Sequence, residues 1–186
     1  MTPSQLPLKV LRHDEEFILY RDEQQSRPGF QSVLLLAPAS SKPSLNTLKK
    51  LEHEYSLRDE LDSAWAARPV SLTEHLGQTA IVLEDPGGEP LDSLLPGPFE
   101  LTSFLRLAIG LATALGALHK RGLIHKDVKP SNVLFDSATG KVRLMGFGIA
   151  SRLPRERQAI KPPEIIAGTL SYMAPEQTGR LNRSVD

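Results

Sequence analysis

Asp127, Lys129 and Asn132 stand close together in the run His125-Lys126-Asp127-Val128-Lys129-Pro130-Ser131-Asn132: a carboxylate, an ammonium and a carboxamide at small fixed offsets. These residue types at this spacing suit chemistry on a phosphate. A carboxylate can take or orient the proton of an attacking hydroxyl. A lysine two residues on can reach the transferred phosphoryl group, and a carboxamide oxygen five residues on can hold a magnesium ion. The plain alternative for such a string is a solvated turn with a stray charge pair, so the elements around it decide which reading stands.

An apolar helix leads into the run. Phe104, Leu107, Ala108, Leu111, Leu115 and Leu118 recur at helical spacing between Leu101 and Lys120, and Gly122 follows the helix-end cations Lys120 and Arg121 as a stop signal. NVLFD and KVRLM around Ser137-Ala138-Thr139-Gly140 read as a hairpin after it. Upstream, residues 1–14 read as a short extended lead-in. Glu15–Glu23 and the run SVLLLAPA read as strands, separated by a turn at residues 24–29 with Pro28 and Gly29 as punctuation. A helix with Ser44 as its N-cap places Leu48, Leu51, Tyr55 and Leu61 on one side. RPVSLTEH and TAIVLED then form a hairpin around Leu76-Gly77-Gln78, PLDSLL makes one helical turn, and residues 152–167 form a charged, proline-rich mobile loop.

The chain of 186 residues is long enough for one domain with a real core, and its 22 basic residues balance 22 acidic ones. A net charge of zero argues against a nucleic-acid or membrane surface. The absence of cysteine excludes disulfides and thiolate-bound zinc and fits a reducing compartment. The N-terminal stretch has no signal-peptide core, and no apolar run is expected to span a bilayer, so a cytoplasmic protein is the expectation.

HKDVKPSN resembles the catalytic loop of eukaryotic-type protein kinases, and Gly168–Glu176, GTLSYMAPE, resembles the end of their activation segment, with Ala174-Pro175-Glu176 as the closing tripeptide. Lys129 and Thr169 point to the Ser/Thr branch, in which the threonine bridges the catalytic aspartate and lysine. The resemblance implies an α+β protein-kinase-like fold: a small β-rich lobe with one helix over residues 15–84, and the first part of a helical large lobe over 85–186. It implies Asp127 and Lys129 as catalytic residues, Asn132 as metal ligand and nucleotide contact, and His125 as structural. It also implies Glu54 as the ion-pairing glutamate of the small-lobe helix and Leu83, Glu84 and Asp85 as the hinge beside the adenine of ATP. The wording MGFGIASRLPRERQ and LEDPGGEPLD is similar to the N-terminal kinase-like domains of bacterial hybrid sensor histidine kinases. Expected partners are therefore a protein substrate or the other domains of a larger sensor chain, with no nucleic acid and no membrane insertion. By the same resemblance the chain is expected to be a truncated large lobe, marginally stable alone, whose Glu176 lacks its usual arginine.

Three departures concern the nucleotide. No Gly-x-Gly-x-x-Gly lies between the first strands, where Gly29 stands alone. Leu35 or Leu36 takes the place of the small-lobe lysine, which leaves Glu54 without a cation; nearby Lys42, Lys49 and Lys50 read as surface charge. Asp-Phe-Gly becomes Gly146-Phe147-Gly148, so the main magnesium ligand has no side chain. Phosphoryl transfer is mostly positioning and charge neutralisation, and each lost charged group removes roughly 3 kcal/mol of barrier lowering. The expected function is Ser/Thr protein-kinase-like phosphoryl transfer in signal transduction, with a regulatory pseudokinase module as the alternative. ATP binding is expected to be weak and to change little on adding Mg2+, which calorimetric titration with and without the metal checks.

Overall fold

Val33–Pro38, apolar throughout, is the central strand of a five-stranded sheet, and all of it but Val33 is buried. The structure is a computed structural model that describes residues 8–22, 32–95, 97–152 and 168–178. Its first five strands are β1 (Leu8–His13), β2 (Phe17–Asp22), β3 (Val33–Pro38), β4 (Pro69–His75) and β5 (Gln78–Glu84). They form an antiparallel sheet in the order β1-β2-β3-β5-β4. Leu35, Ala37 and Ala80 bury one face, while Leu19, Leu34, Leu36, Ile81 and Leu83 bury the other under Leu51 of helix α1 (Leu45–Ser56).

Of the extended lead-in expected over residues 1–14, residues 1–7 lie outside the described residues and Leu8–His13 belongs to the sheet as its edge strand. Between β1 and β2 lies a short acidic turn, Asp14-Glu15-Glu16, in which the Asp14 carboxylate accepts from the N–H groups of Glu16 and Phe17 at 3.0 and 2.8 Å. This turn, and not the neighbourhood of Gly29, is where a glycine-rich loop between first strands would sit. The expected turn at 24–29, and the loop at 152–167 beyond Arg152, lie outside the described residues. Ser44 caps α1 by accepting from the Thr47 N–H at 3.0 Å. The buried side of α1 is Thr47, Leu51 and Glu54; Leu61 lies beyond the helix, in the large-lobe core. Leu76 and Gly77, both at positive φ, make the two-residue turn of the β4–β5 hairpin.

Below the sheet come β6 (Glu89–Pro90), the single turn α2 (Leu91–Leu94), and helix α3 (Leu101–Lys120). Strand β7 (Leu123–Ile124), a 3-10 turn at Pro130–Asn132, β8 (Val133–Asp136), β9 (Lys141–Leu144) and β10 (Ser151–Arg152) follow. Glu100 caps α3 through the N–H groups of Thr102 and Ser103, and Gly122, at φ +71°, reverses the chain after it. The buried stripe of α3 is Leu107, Ala114 and Leu118, packed with Val142 and Leu144; Phe104, expected on that stripe, is exposed. By length and composition α3 is apolar enough to cross a membrane, which corrects the expectation that no segment would be; core helices meet the same test. The two lobes are stitched where the Ala67 N–H donates to Leu144 O and the Leu144 N–H donates to Trp65 O, each at 2.9 Å.

Leu118 is fully buried at the centre of this lower core. Leu118→Ala is expected to lower stability by about 2–5 kcal/mol, the range for a buried leucine whose cavity does not collapse. Urea unfolding of the variant against the parent chain checks this.

Candidate active site

His125 opens the loop and fixes its backbone. It is buried, its Nε2–H donates to Met145 O at 3.0 Å, and its Nδ1 accepts the Asp127 N–H at 3.2 Å. Those two partners require the neutral Nε2–H tautomer. Lys126, at φ +68°, turns the chain so that the next residue faces the cleft. Pro130 then starts the 3-10 turn, closed by the Asn132 N–H to Lys129 O at 2.9 Å.

Asp127, Lys129, Asn132 and Thr169 come together above this loop. Thr169 Oγ1 donates to Asp127 Oδ1 at 2.7 Å and accepts from Lys129 Nζ at 2.8 Å, and Lys129 Nζ lies 3.2 Å from Asp127 Oδ2. Asn132 Nδ2 donates to the Asp127 backbone carbonyl at 2.8 Å and to Oδ2 at 2.9 Å. Burial pushes the Asp127 carboxyl up, but the Thr169 hydrogen bond, the Lys129 charge and the Asn132 amide outweigh it, so the group sits below the usual carboxylate range. Asp127 is therefore a carboxylate at neutral pH. Three of its roughly four lone-pair positions are used, which leaves one for an incoming hydroxyl.

A cation from the edge strand reaches the same place. Arg12 is 8% exposed, and its Nη1 donates to Ser131 O at 2.6 Å and to Asn132 Oδ1 at 3.0 Å. Its Nε lies 3.3 Å from Asp14 Oδ2 at an angle that makes no hydrogen bond. The expected magnesium fails a test of fit here. Gly146 supplies no ligand, and a Cβ on it would lie 2.7 Å from Asn132 Oδ1. That oxygen, the one atom through which Asn132 could hold a metal, faces a guanidinium instead. Among the described residues no cluster of three or more His, Asp or Glu side chains is placed to hold an ion. Asn132 is a link between Arg12 and Asp127, and the residues present do not fit a divalent metal.

These groups line a cavity of about 330 Å³ that Arg12, Lys50, Glu54, Asp127, Asn132 and Gly146 share. Leu36 lines it at the position where the lysine was expected. Lys50 is not loose surface charge: its Nζ pairs with Glu16 of the β1–β2 turn at 2.6 Å. None of Leu83, Glu84 and Asp85, the expected hinge, lines this cavity. Leu83 is fully buried in one contiguous cluster with Leu19, Leu34, Leu36, Leu134 and Met145. The Glu84 N–H is taken by Arg68 O at 2.8 Å, and the Glu84 carboxylate by Arg68 and Ser63. Asp85 forms a bidentate pair with Arg21, at 2.8 and 3.1 Å, and Pro86 has no N–H to offer.

Arg12 and Lys50 are the site residues to which sequence reasoning gave no role. Leu11 is the extra residue of a β-bulge: Val10 pairs with Tyr20 and Arg12 with Leu19. Strict alternation from the exposed Val10 would have left Arg12 outside, and the bulge turns it inward. The signal for Lys50 was its position one helical turn before Glu54, on the side facing the acidic turn.

The protein kinase domain family profile matches residues 38–186. Serine/threonine-protein kinase pkn2 of Myxococcus xanthus is 35% identical over 133 residues, 69% of this chain and 16% of its own length. Serine/threonine-protein kinase PknA of Mycobacterium tuberculosis is 38% identical over 104 residues, 54% of this chain and 23% of its own. Probable serine/threonine-protein kinase PkwA of Thermomonospora curvata is 31% identical over 167 residues, 81% of this chain and 22% of its own. The chain thus spans between 16% and 23% of the length of these relatives.

Two buried groups tie stability to pH with opposite signs. Burial pushes Glu54 up from 4.5 to about 7, against the pull of the Phe147 and Gly146 N–H groups and the Arg12 charge. Its contribution is complete below pH 4.5 and is lost as pH rises to about 7. Burial pushes His125 down from 6.5 to about 4, so its contribution is complete above pH 6.5 and is lost as pH falls to about 4. Between pH 4.5 and 6.5 the two slopes offset one another. Glu54→Gln is expected to uncover the histidine slope, so that the variant gains about 3 kcal/mol from pH 4 to 6.5 while the parent stays nearly flat. Urea unfolding across a pH series measures both curves.

Proposed function

This chain belongs to the protein kinase domain family, and from that premise we propose that it transfers a phosphoryl group to serine or threonine hydroxyls of proteins in signal transduction. It is a Ser/Thr protein kinase domain homologous to bacterial Ser/Thr kinases. The single observation that carries the reaction is the closed set of bonds joining Asp127, Thr169 and Lys129. A substrate hydroxyl at the remaining lone pair of Asp127 gives up its proton to that carboxylate as its oxygen bonds to phosphorus. The bond from phosphorus to the leaving oxygen breaks, and the Lys129 ammonium lies beside the charge on the transferred group.

The family generally uses ATP and Mg2+. Here the altered Gly146 position and the Arg12 contact support a nucleotide site that is weak and insensitive to the metal. The wording around Gly146-Phe147-Gly148 supports a setting in a bacterial hybrid sensor kinase, in the cytoplasm, with its other domains or a protein substrate as partners. A regulatory module with little turnover is the second reading, and the observation behind it is the absence of a carboxylate side chain at Gly146. Kinship with Ser/Thr kinases favours transfer.

The test is transfer of the terminal phosphoryl of radiolabelled ATP to a generic protein substrate by the full-length protein. Asp127→Asn is expected to lower the rate by at least about 100-fold, the scale of a lost general base. Thr169→Val is expected to cause a smaller loss. Absence of transfer, or transfer indifferent to Asp127→Asn, overturns the proposal.

A further inference from the structure

The cleft carries a cation that neither composition nor family pattern assigns. Arg12 is brought inside by the bulge at Leu11, is buried, and bonds to the carboxamide oxygen that would otherwise face a metal. Its Nε is buried without a hydrogen-bond partner and lies on the side of Asp14. On the far side of Asn132, Gly146 at φ +79° has no side chain, and the carboxamide fills the space a Cβ would need, with Oδ1 at 2.7 Å and Cγ at 2.8 Å. Each of these features requires the others. A side chain at Gly146 would displace Asn132, and a displaced Asn132 would leave the buried Arg12 guanidinium with the Ser131 carbonyl as its one remaining hydrogen-bond acceptor and the Asp14 carboxylate beside it.

We infer that the Arg12 guanidinium occupies the place of a divalent metal at Asn132, and that Arg12 is a positioning residue that holds Asp127 through Asn132. One guanidinium nitrogen, Nη1, meets both the Ser131 carbonyl and the Asn132 carboxamide. The same carboxamide then donates twice to Asp127. A metal would have held Asn132 and a carboxylate at the Gly146 position together. Arg12 holds Asn132 alone and needs no second ligand. Lys50 is already paired with Glu16 and Lys129 with Asp127, so Arg12 is the cation bonded to the Asn132 oxygen. The inference deepens the phosphoryl-transfer reading and rests on it only for the consequence to rate; its test uses no nucleotide, so the two can fail separately.

The test is a double-mutant cycle on the full-length protein, read by Mn2+ binding from the free-ion electron paramagnetic signal. The parent and Gly146→Asp are expected to show no saturable Mn2+ binding below about 1 mM, the weak end of protein cation sites. Arg12→Ala with Gly146→Asp is expected to bind at least about 10-fold more tightly than Gly146→Asp alone, a coupling that independent sites would not show. Arg12→Lys with Gly146→Asp keeps the charge and is expected to go on excluding Mn2+. A second readout needs no metal: Gly146→Asp is expected to lower the melting temperature less when Arg12 is alanine, because Asn132 is then free to move. If Arg12→Ala does not fold, Arg12→Gln carries the same comparisons. Saturable sub-millimolar Mn2+ binding by the parent, equal binding by Gly146→Asp and the double variant, or additive effects on melting temperature each overturn the inference.

Discussion

The carboxamide of Asn132 is the joint on which this cleft depends. It accepts from a guanidinium of the edge strand and donates to the backbone and carboxylate of the catalytic loop. Its own backbone closes the turn to Lys129 and pairs with the Met145 N–H at 3.0 Å. One small polar group thus connects the small lobe, the loop and the strand that leads to Gly146. A buried amide with both N–H groups and its oxygen bonded is stiff, since each lost bond leaves a desolvated partner behind. The loop therefore keeps its shape through contacts internal to the protein, where a bound ion would otherwise supply the charge.

Charge in the cleft is balanced pair by pair. Lys129 faces Asp127, Lys50 faces Glu16, and Arg12 has Asp14 beside it. Arg21 and Asp85 repeat the pattern at the hinge segment. Glu54, deep in the small lobe, lacks a lysine on β3 and accepts the Gly146 N–H at 3.2 Å; burial shifts its balance towards the neutral acid. His125 stays neutral for the same reason, with both ring nitrogens bonded to backbone. These groups are satisfied within the fold, as buried and half-buried polar groups must be.

Much of the fold and part of the site were legible in the chain. The apolar run Val33–Pro38, the cap at Ser44, the helical periodicity between Leu101 and Lys120, and the turn residues Leu76-Gly77 each carry a local physical signal, and each marks an element of the structure. The short offsets among Asp127, Lys129 and Asn132 keep those side chains in one loop whatever surrounds it. The edge strand Leu8–His13 was read only as a lead-in because its alternation is interrupted by a bulge, and an interrupted period resembles no period at all. The partner of Asp85 in the expected hinge was illegible for another reason. Whether Asp85 faces a ligand or an arginine depends on Arg21, which is 64 residues away in sequence.

By itself the sequence determined the types of group available, their spacing within the catalytic loop, and the absence of side chains at Gly146 and of a lysine on β3. Those are local properties, written in residue identity and short-range periodicity. Tertiary structure alone decided which cation meets Asn132. Arg12 is 120 residues away, on a strand whose bulge reverses its facing, and the contact forms only once the sheet has closed over the loop. A hydrogen bond of that range depends on the registers of β1, β2 and β3 and on the docking of the two lobes, and no local pattern in the chain encodes all of these together.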